Sequence, residues 1–76
     1  MIYKFDIRQN YYNQTIRITL TNGVVLDGVI IDDMADYCRF VKNLKLIKYN
    51  KTKDESLVER IYFKDMKSVD YQKKQN

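Results

Sequence analysis

The chain has 76 residues with a net charge of +4, seven tyrosines, three phenylalanines, two glycines, one cysteine, and neither proline nor histidine. That length reads as one domain near the lower limit for a self-sufficient core. Cys38 alone, without histidine, excludes an intrachain disulfide and an ordinary zinc site, so oligomerisation is the remaining remedy for a small core. No run approaches the roughly 18 apolar residues of a membrane span. The opening MIYKFDIRQN lacks the apolar core of a secretory signal. A lone cysteine fits a reducing compartment, and the expectation is a cytoplasmic protein.

Taken in chain order, Tyr3, Phe5 and Ile7 alternate and predict a strand over residues 2–8, although Tyr3, Ile7 and Tyr11 also share a helical face. TIRITLTNG places Ile16, Ile18 and Leu20 on one face and Thr15, Arg17, Thr19 and Thr21 on the other, a half-buried strand. Asn22-Gly23 then predicts a type I′ hairpin turn. The return strand VVLDGVIID turns Leu26 and Ile30 inward, with Gly28 between them marking a bend. DDMAD is a polar break. YCRFVKNLKLIKY predicts a third strand with Cys38, Phe40, Leu44 and Leu46 inward and Lys42 as an interruption. NKTKDES reads as a charged turn, and LVERIYF as a strand with Leu57, Ile61 and Phe63 inward. KDMK predicts a single helical turn, SVDY a short final strand with Val69 and Tyr71 inward, and residues 72–76 a frayed tail. The expected fold is all-β: five or six short antiparallel strands that curl into a small, strongly bent SH3-like barrel.

The run LTNGVVLDGVIIDD followed by YCRF resembles the first motif of the Sm-like family, including its bacterial Hfq branch. The matching positions are Leu20, Asn22-Gly23, Val24 to Leu26, Gly28, and Asp32 or Asp33, while RIYFKDMKSVDY loosely matches the second motif. Asp36 or Tyr37 falls near the place of the family's base-contacting asparagine. The resemblance implies an Sm-like barrel, an RNA-binding regulator of bacterial or phage type, and a homo-oligomeric ring. In such rings the fourth strand of one subunit pairs with the fifth of the next, which would set Tyr62 and Val69 near the interface.

No histidine base, nucleophile pairing or glycine-rich phosphate loop is present, so the reading is not an enzyme and no cofactor is expected. Asp32, Asp33 and Asp36 offer oxygen ligands for a hard cation, but their spacing matches no calcium loop and an acidic turn accounts for them equally well. Arg39 to Lys53 carries six cations and no acid, whereas Asp27 to Asp36 carries four acids and no cation. Single-stranded nucleic acid is held by a basic groove with aromatic faces. The candidates for RNA or another polyanion are Arg39, Lys42, Lys45, Lys48 and Arg60 for charge, with Tyr37 and Tyr49 as stacking platforms. A second class stays open: a protein-interaction module or adaptor, for example phage-encoded, that binds no nucleic acid and works through its edge strands.

Overall fold

The computed structural model describes residues 14–71. The strand or helix expected at residues 2–8 and the tail at 72–76 lie outside the described residues. The elements are β1 (Thr15–Leu20), β2 (Val25–Asp33), β3 (Tyr37–Lys42), α1 (Asn43–Thr52), a 3-10 turn (Glu55–Leu57), β4 (Glu59–Tyr62), a second 3-10 turn (Phe63–Asp65) and β5 (Met66–Tyr71). The strands form one antiparallel sheet in the order β4-β3-β2-β1-β5.

The first hairpin lies where Asn22-Gly23 puts it, but with a different turn. Gly23 N–H donates to the Leu20 carbonyl at 2.9 Å, and Leu20 N–H donates to the Val24 carbonyl at 2.8 Å. Only Gly23 in this loop has a positive φ, +90°. A type I′ turn needs positive φ at two successive residues, so the expected turn is replaced by a three-residue loop ending in a left-handed glycine. Asn22 keeps a negative φ and instead accepts the Val24 N–H on its side-chain oxygen at 3.0 Å.

Alternation sorts most strand residues correctly. Ile16, Ile18, Ile30, Cys38, Phe40, Ile61, Phe63, Met66 and Val69 form one buried cluster, with Leu20 and Leu26 packed against it. Tyr71, expected inward, is exposed at the end of β5. The helical turn expected at KDMK sits earlier, at Phe63–Asp65, because Met66 turns into the core and opens β5.

The larger difference is α1. The third strand does not continue to Tyr49 but ends at Lys42, and Asn43–Thr52 is helical. As a strand this segment would have turned Leu44 and Leu46 to the core. As a helix it turns Leu46 and Tyr49, three apart, toward β2 and β3, and leaves Leu44 outside. Leu and Lys are good helix formers, and Ile47 is the one β-branched residue before Thr52. Val41 and Tyr49 are buried outside the main cluster, so the sheet carries a second, smaller apolar face that α1 covers. The charged turn expected at NKTKDES is taken up by the end of α1 and the first 3-10 turn, joined through Lys53 in the left-handed region at φ 54°.

The sheet is sharply curved. Among the described residues β4 and β5 are its two edges, yet only the Phe63–Asp65 turn separates them. Edges of a flat sheet of this width lie about 19 Å apart, while the chain from Tyr62 to Met66 reaches at most about 14 Å. Register shifts at Ile30/Asp32 on β2 and Thr19/Leu20 on β1 supply bends. The turn between β4 and β5 is held from both sides: Phe63 N–H donates to the Asp36 carbonyl at 3.0 Å, and Thr21 N–H to the Asp65 carbonyl at 2.8 Å.

Candidate nucleic-acid interface

The outer face of β3 and β4 gathers four residues that were spread along the chain. The register sets Tyr37 opposite Tyr62 and Arg39 opposite Arg60. The tyrosine rings lie 5.4 Å apart between centroids, tilted by 54°. The Arg60 guanidinium stands 5.2 Å from the Tyr37 ring centroid, a cation–π contact. With Met34, Arg39, Glu55 and Val58, Tyr37 and Arg60 line a groove of about 420 Å³.

Two cations directly opposite each other on adjacent strands repel. The chain offsets this at Arg39 alone. Arg39 donates to Asp32 at 2.6 Å and to both carboxylate oxygens of Glu55, and these bonds, that to Asp32 first, raise its pKa. Its side chain is only 19% exposed, so its donors are committed within the chain. Arg60 is exposed and has no salt-bridge carboxylate among the described residues. Arg60 is therefore the guanidinium of this face left to meet an outside anion.

The other expected contacts are dispersed. Lys42 pairs with Glu59 at 3.5 Å. Lys45 and Lys48 are exposed on α1 rather than on a strand. Tyr49, expected as an open stacking ring, is 9% exposed: helical geometry turns it under α1, where Lys53 covers it at 5.1 Å from the ring centroid. Val69 is 6% exposed within the core cluster, so its side chain offers no intersubunit contact, whereas Tyr62 is exposed on the edge strand β4.

Glu55 was not singled out from sequence, because it lies in the charged turn and reaches Arg39 only through the tertiary fold. Tyr62, set near an interface by the family resemblance, also has the parity opposite to Ile61 and Phe63, which by itself marks it as an exposed ring near Arg60. What the structure adds is the register, which sets Tyr62 and Arg60 directly opposite Tyr37 and Arg39. Asp32, one of the candidate cation ligands, is engaged by Arg39, and among the described residues no three acidic or sulfur side chains gather as a metal site.

Cys38 is fully buried. Burial pushes its thiol up to about 12, and the nearby Asp33 and Asp32 add to the rise. The fold thus favours the neutral thiol. Its contribution to stability is complete below the unfolded thiol value, about 8.5, and is lost as pH rises from there to about 12. A thiol-exchange reagent at pH 8 is expected to leave native Cys38 unlabelled and to label it at once in denaturant. In Cys38→Ala this share of the alkaline stability loss disappears. Rapid native labelling would contradict the burial.

Compared with protein-family models, curated proteins and solved structures, the chain matches none.

Proposed function

We propose that the chain is a non-enzymatic binding protein that holds single-stranded RNA on the β3–β4 face. The observation that carries this reading is Arg60, stacked on Tyr37 beside Tyr62 with no carboxylate partner of its own among the described residues. A base stacks on an exposed aromatic ring whatever its identity, and a guanidinium beside the ring takes the phosphate. Arg39 braces this face through Asp32 and Glu55 rather than touching the ligand. Lys45 and Lys48 on α1 add long-range attraction for a polyanion.

In the same reading the curved sheet is a small Sm-like or SH3-like barrel, since its two edges are consecutive in the chain and only a short turn apart. Among the described residues those edges each have a strand neighbour on one side only, and pairing β4 of one subunit with β5 of the next would build a ring. The same free edges favour the alternative, a protein-interaction module that binds no nucleic acid.

The test is fluorescence anisotropy with a labelled mixed-sequence 20-nucleotide RNA, with light scattering on the same samples. Arg60→Gln is expected to weaken binding about tenfold and to flatten the salt dependence by roughly 0.7 in log–log slope, one phosphate contact. Tyr37→Ser is expected to weaken it between about 5- and 150-fold, the range of one lost stacking contact. Wild-type affinity in both variants would sink the RNA reading and move the choice to the protein-interaction module. A monomer mass would sink the ring but leave the stacking face standing.

A further inference from the structure

We infer that the outward face of α1, with the groove at its N-terminal end, docks an acidic amphipathic segment of a partner protein. Leu44 is 98% exposed and Ile47 74%, although both are large aliphatic residues. Three positions apart, they share one helix face with Lys48 and Lys51, opposite the face that packs Leu46 and Tyr49 on the sheet. At the start of α1, Leu44 joins Val25, Leu26, Asp27, Lys42 and Asn43 around a groove of about 400 Å³. The groove exists because β2 outruns β3: Gly28↔Lys42 is the last pair, so no strand of the described residues flanks Val25 to Asp27 on that side. Val24 and Val25 extend the exposed apolar surface along the hairpin.

Charge selects the occupant. α1 carries Lys45, Lys48 and Lys51 and no acidic residue, and none of the three has a salt-bridge partner among the described residues. A second copy of the chain, at net +4, carries its longest acid run over Asp27 to Asp36, where Asp27 and Asp32 are already paired with Arg17 and Arg39, and it is a poor source of the missing anions. Residues 1–13 carry Lys4 and Arg8 against Asp6, and residues 72–76 carry Lys73 and Lys74, so neither terminal segment supplies the missing anions. An anionic bilayer would supply them, but a flat surface meets only the ridge of α1 and leaves the groove empty. An acidic segment with a few apolar side chains fills the groove, covers Leu44 and Ile47, and sets its carboxylates against Lys48 and Lys51. The surface is separate from Tyr37 and Arg60, and the inference stands without the RNA reading.

The test is a random 16-residue peptide library displayed on yeast, selected on the immobilised full chain and counter-selected on the L44Q/I47Q variant. Both substituted residues are exposed, so this variant is expected to keep the wild-type melting temperature and the wild-type RNA affinity. Selected peptides are expected to be net acidic with interspersed apolar residues, and to bind L44Q/I47Q and K48E/K51E at least tenfold more weakly. Peptides with no acidic excess, equal binding to the variants, or an empty selection would overturn the inference. So would a variant-sensitive loss of binding to phosphatidylglycerol vesicles without peptide binding, which assigns the face to lipid. A concentration-dependent mass lost in L44Q/I47Q would likewise overturn it, by assigning the face to self-association.

Discussion

Gly28→Ala is expected to abolish the cooperative thermal transition of the chain, read by circular dichroism. A Cβ at this position would stand 2.1 Å from the Val41 carbonyl oxygen, 2.7 Å from Phe40 Cζ and 2.9 Å from Lys42 Cα. Two of those neighbours are backbone of β3, so no change of rotamer relieves the contact; β2 and β3 would have to separate at the Gly28↔Lys42 pair. Overpacking that side chains can absorb costs about 1–3 kcal/mol. A backbone clash costs more, and a domain of this size has roughly 3–5 kcal/mol from its core. Gly23→Ala is the control. Nothing lies within 4 Å of its added Cβ, but φ is +90°, so the expected cost is about 1–2 kcal/mol. Each kcal/mol lowers the midpoint by about 4–8 °C in a domain this short. A Gly28→Ala variant melting like wild type would show that β2 and β3 do not close on each other at Gly28.

Phe40→Ala is expected to cost about 3–5 kcal/mol, the range for deleting a buried aromatic ring. Phe40 heads the fully buried side chains by volume, and its ring tip occupies the space that Gly28 leaves open. The variant is therefore expected to lose its sharp melting transition. Phe40→Leu keeps a measurable fold, and a stabilising osmolyte such as trimethylamine N-oxide, which favours the compact state enough to restore a transition to Gly28→Ala, allows a double-mutant cycle between the two. The shorter side chain removes the 2.7 Å contact but leaves the 2.1 Å contact with Val41 in place. The two substitutions are thus expected to be less than additive without full rescue. Strict additivity would mean that the ring does not lie over Gly28.

How far the fold is legible depends on whether a residue's environment is set by its near neighbours. In β1 the alternation Ile16, Ile18, Leu20 specifies a face, and the face is correct because one side of the strand meets the core and the other meets solvent. Asn22-Gly23 marks the hairpin for an equally local reason, but the turn type depends on how β1 and β2 are staggered, which the dipeptide does not carry. In α1 local reasoning fails. Leu44 and Leu46 fit a strand face at period two, whereas Leu46 and Tyr49, three apart, fit a helix face, and so short a run does not decide between the two periods. A hint was present on both sides: Val29-Ile30-Ile31 and Phe40-Val41 are apolar on both parities, the mark of strands covered on both faces. That second face needs a cover, and α1 is what covers it.

The candidate site divides along the same line. Residue type, parity and the run of lysines identify Tyr37, Arg39 and Arg60 as aromatic and cationic groups on an outer face. Which cations remain available follows from ion pairs across long stretches of chain: Arg39 with Asp32 and Glu55, Lys42 with Glu59. The sequence by itself determined a mostly antiparallel β chain with its first hairpin at Asn22-Gly23, most of its inward residues and its buried thiol, because alternation and turn signals act over a few residues. The bend expected at Gly28 falls instead at Ile30/Asp32, and Gly28 serves the close approach of β3. Only the tertiary structure decided that Tyr49 is covered, that Leu44 and Ile47 are bare, and that Arg60 rather than Arg39 is left without a carboxylate. Those outcomes depend on strand register and on where a helix lands, and both are set by contacts between residues far apart in the chain.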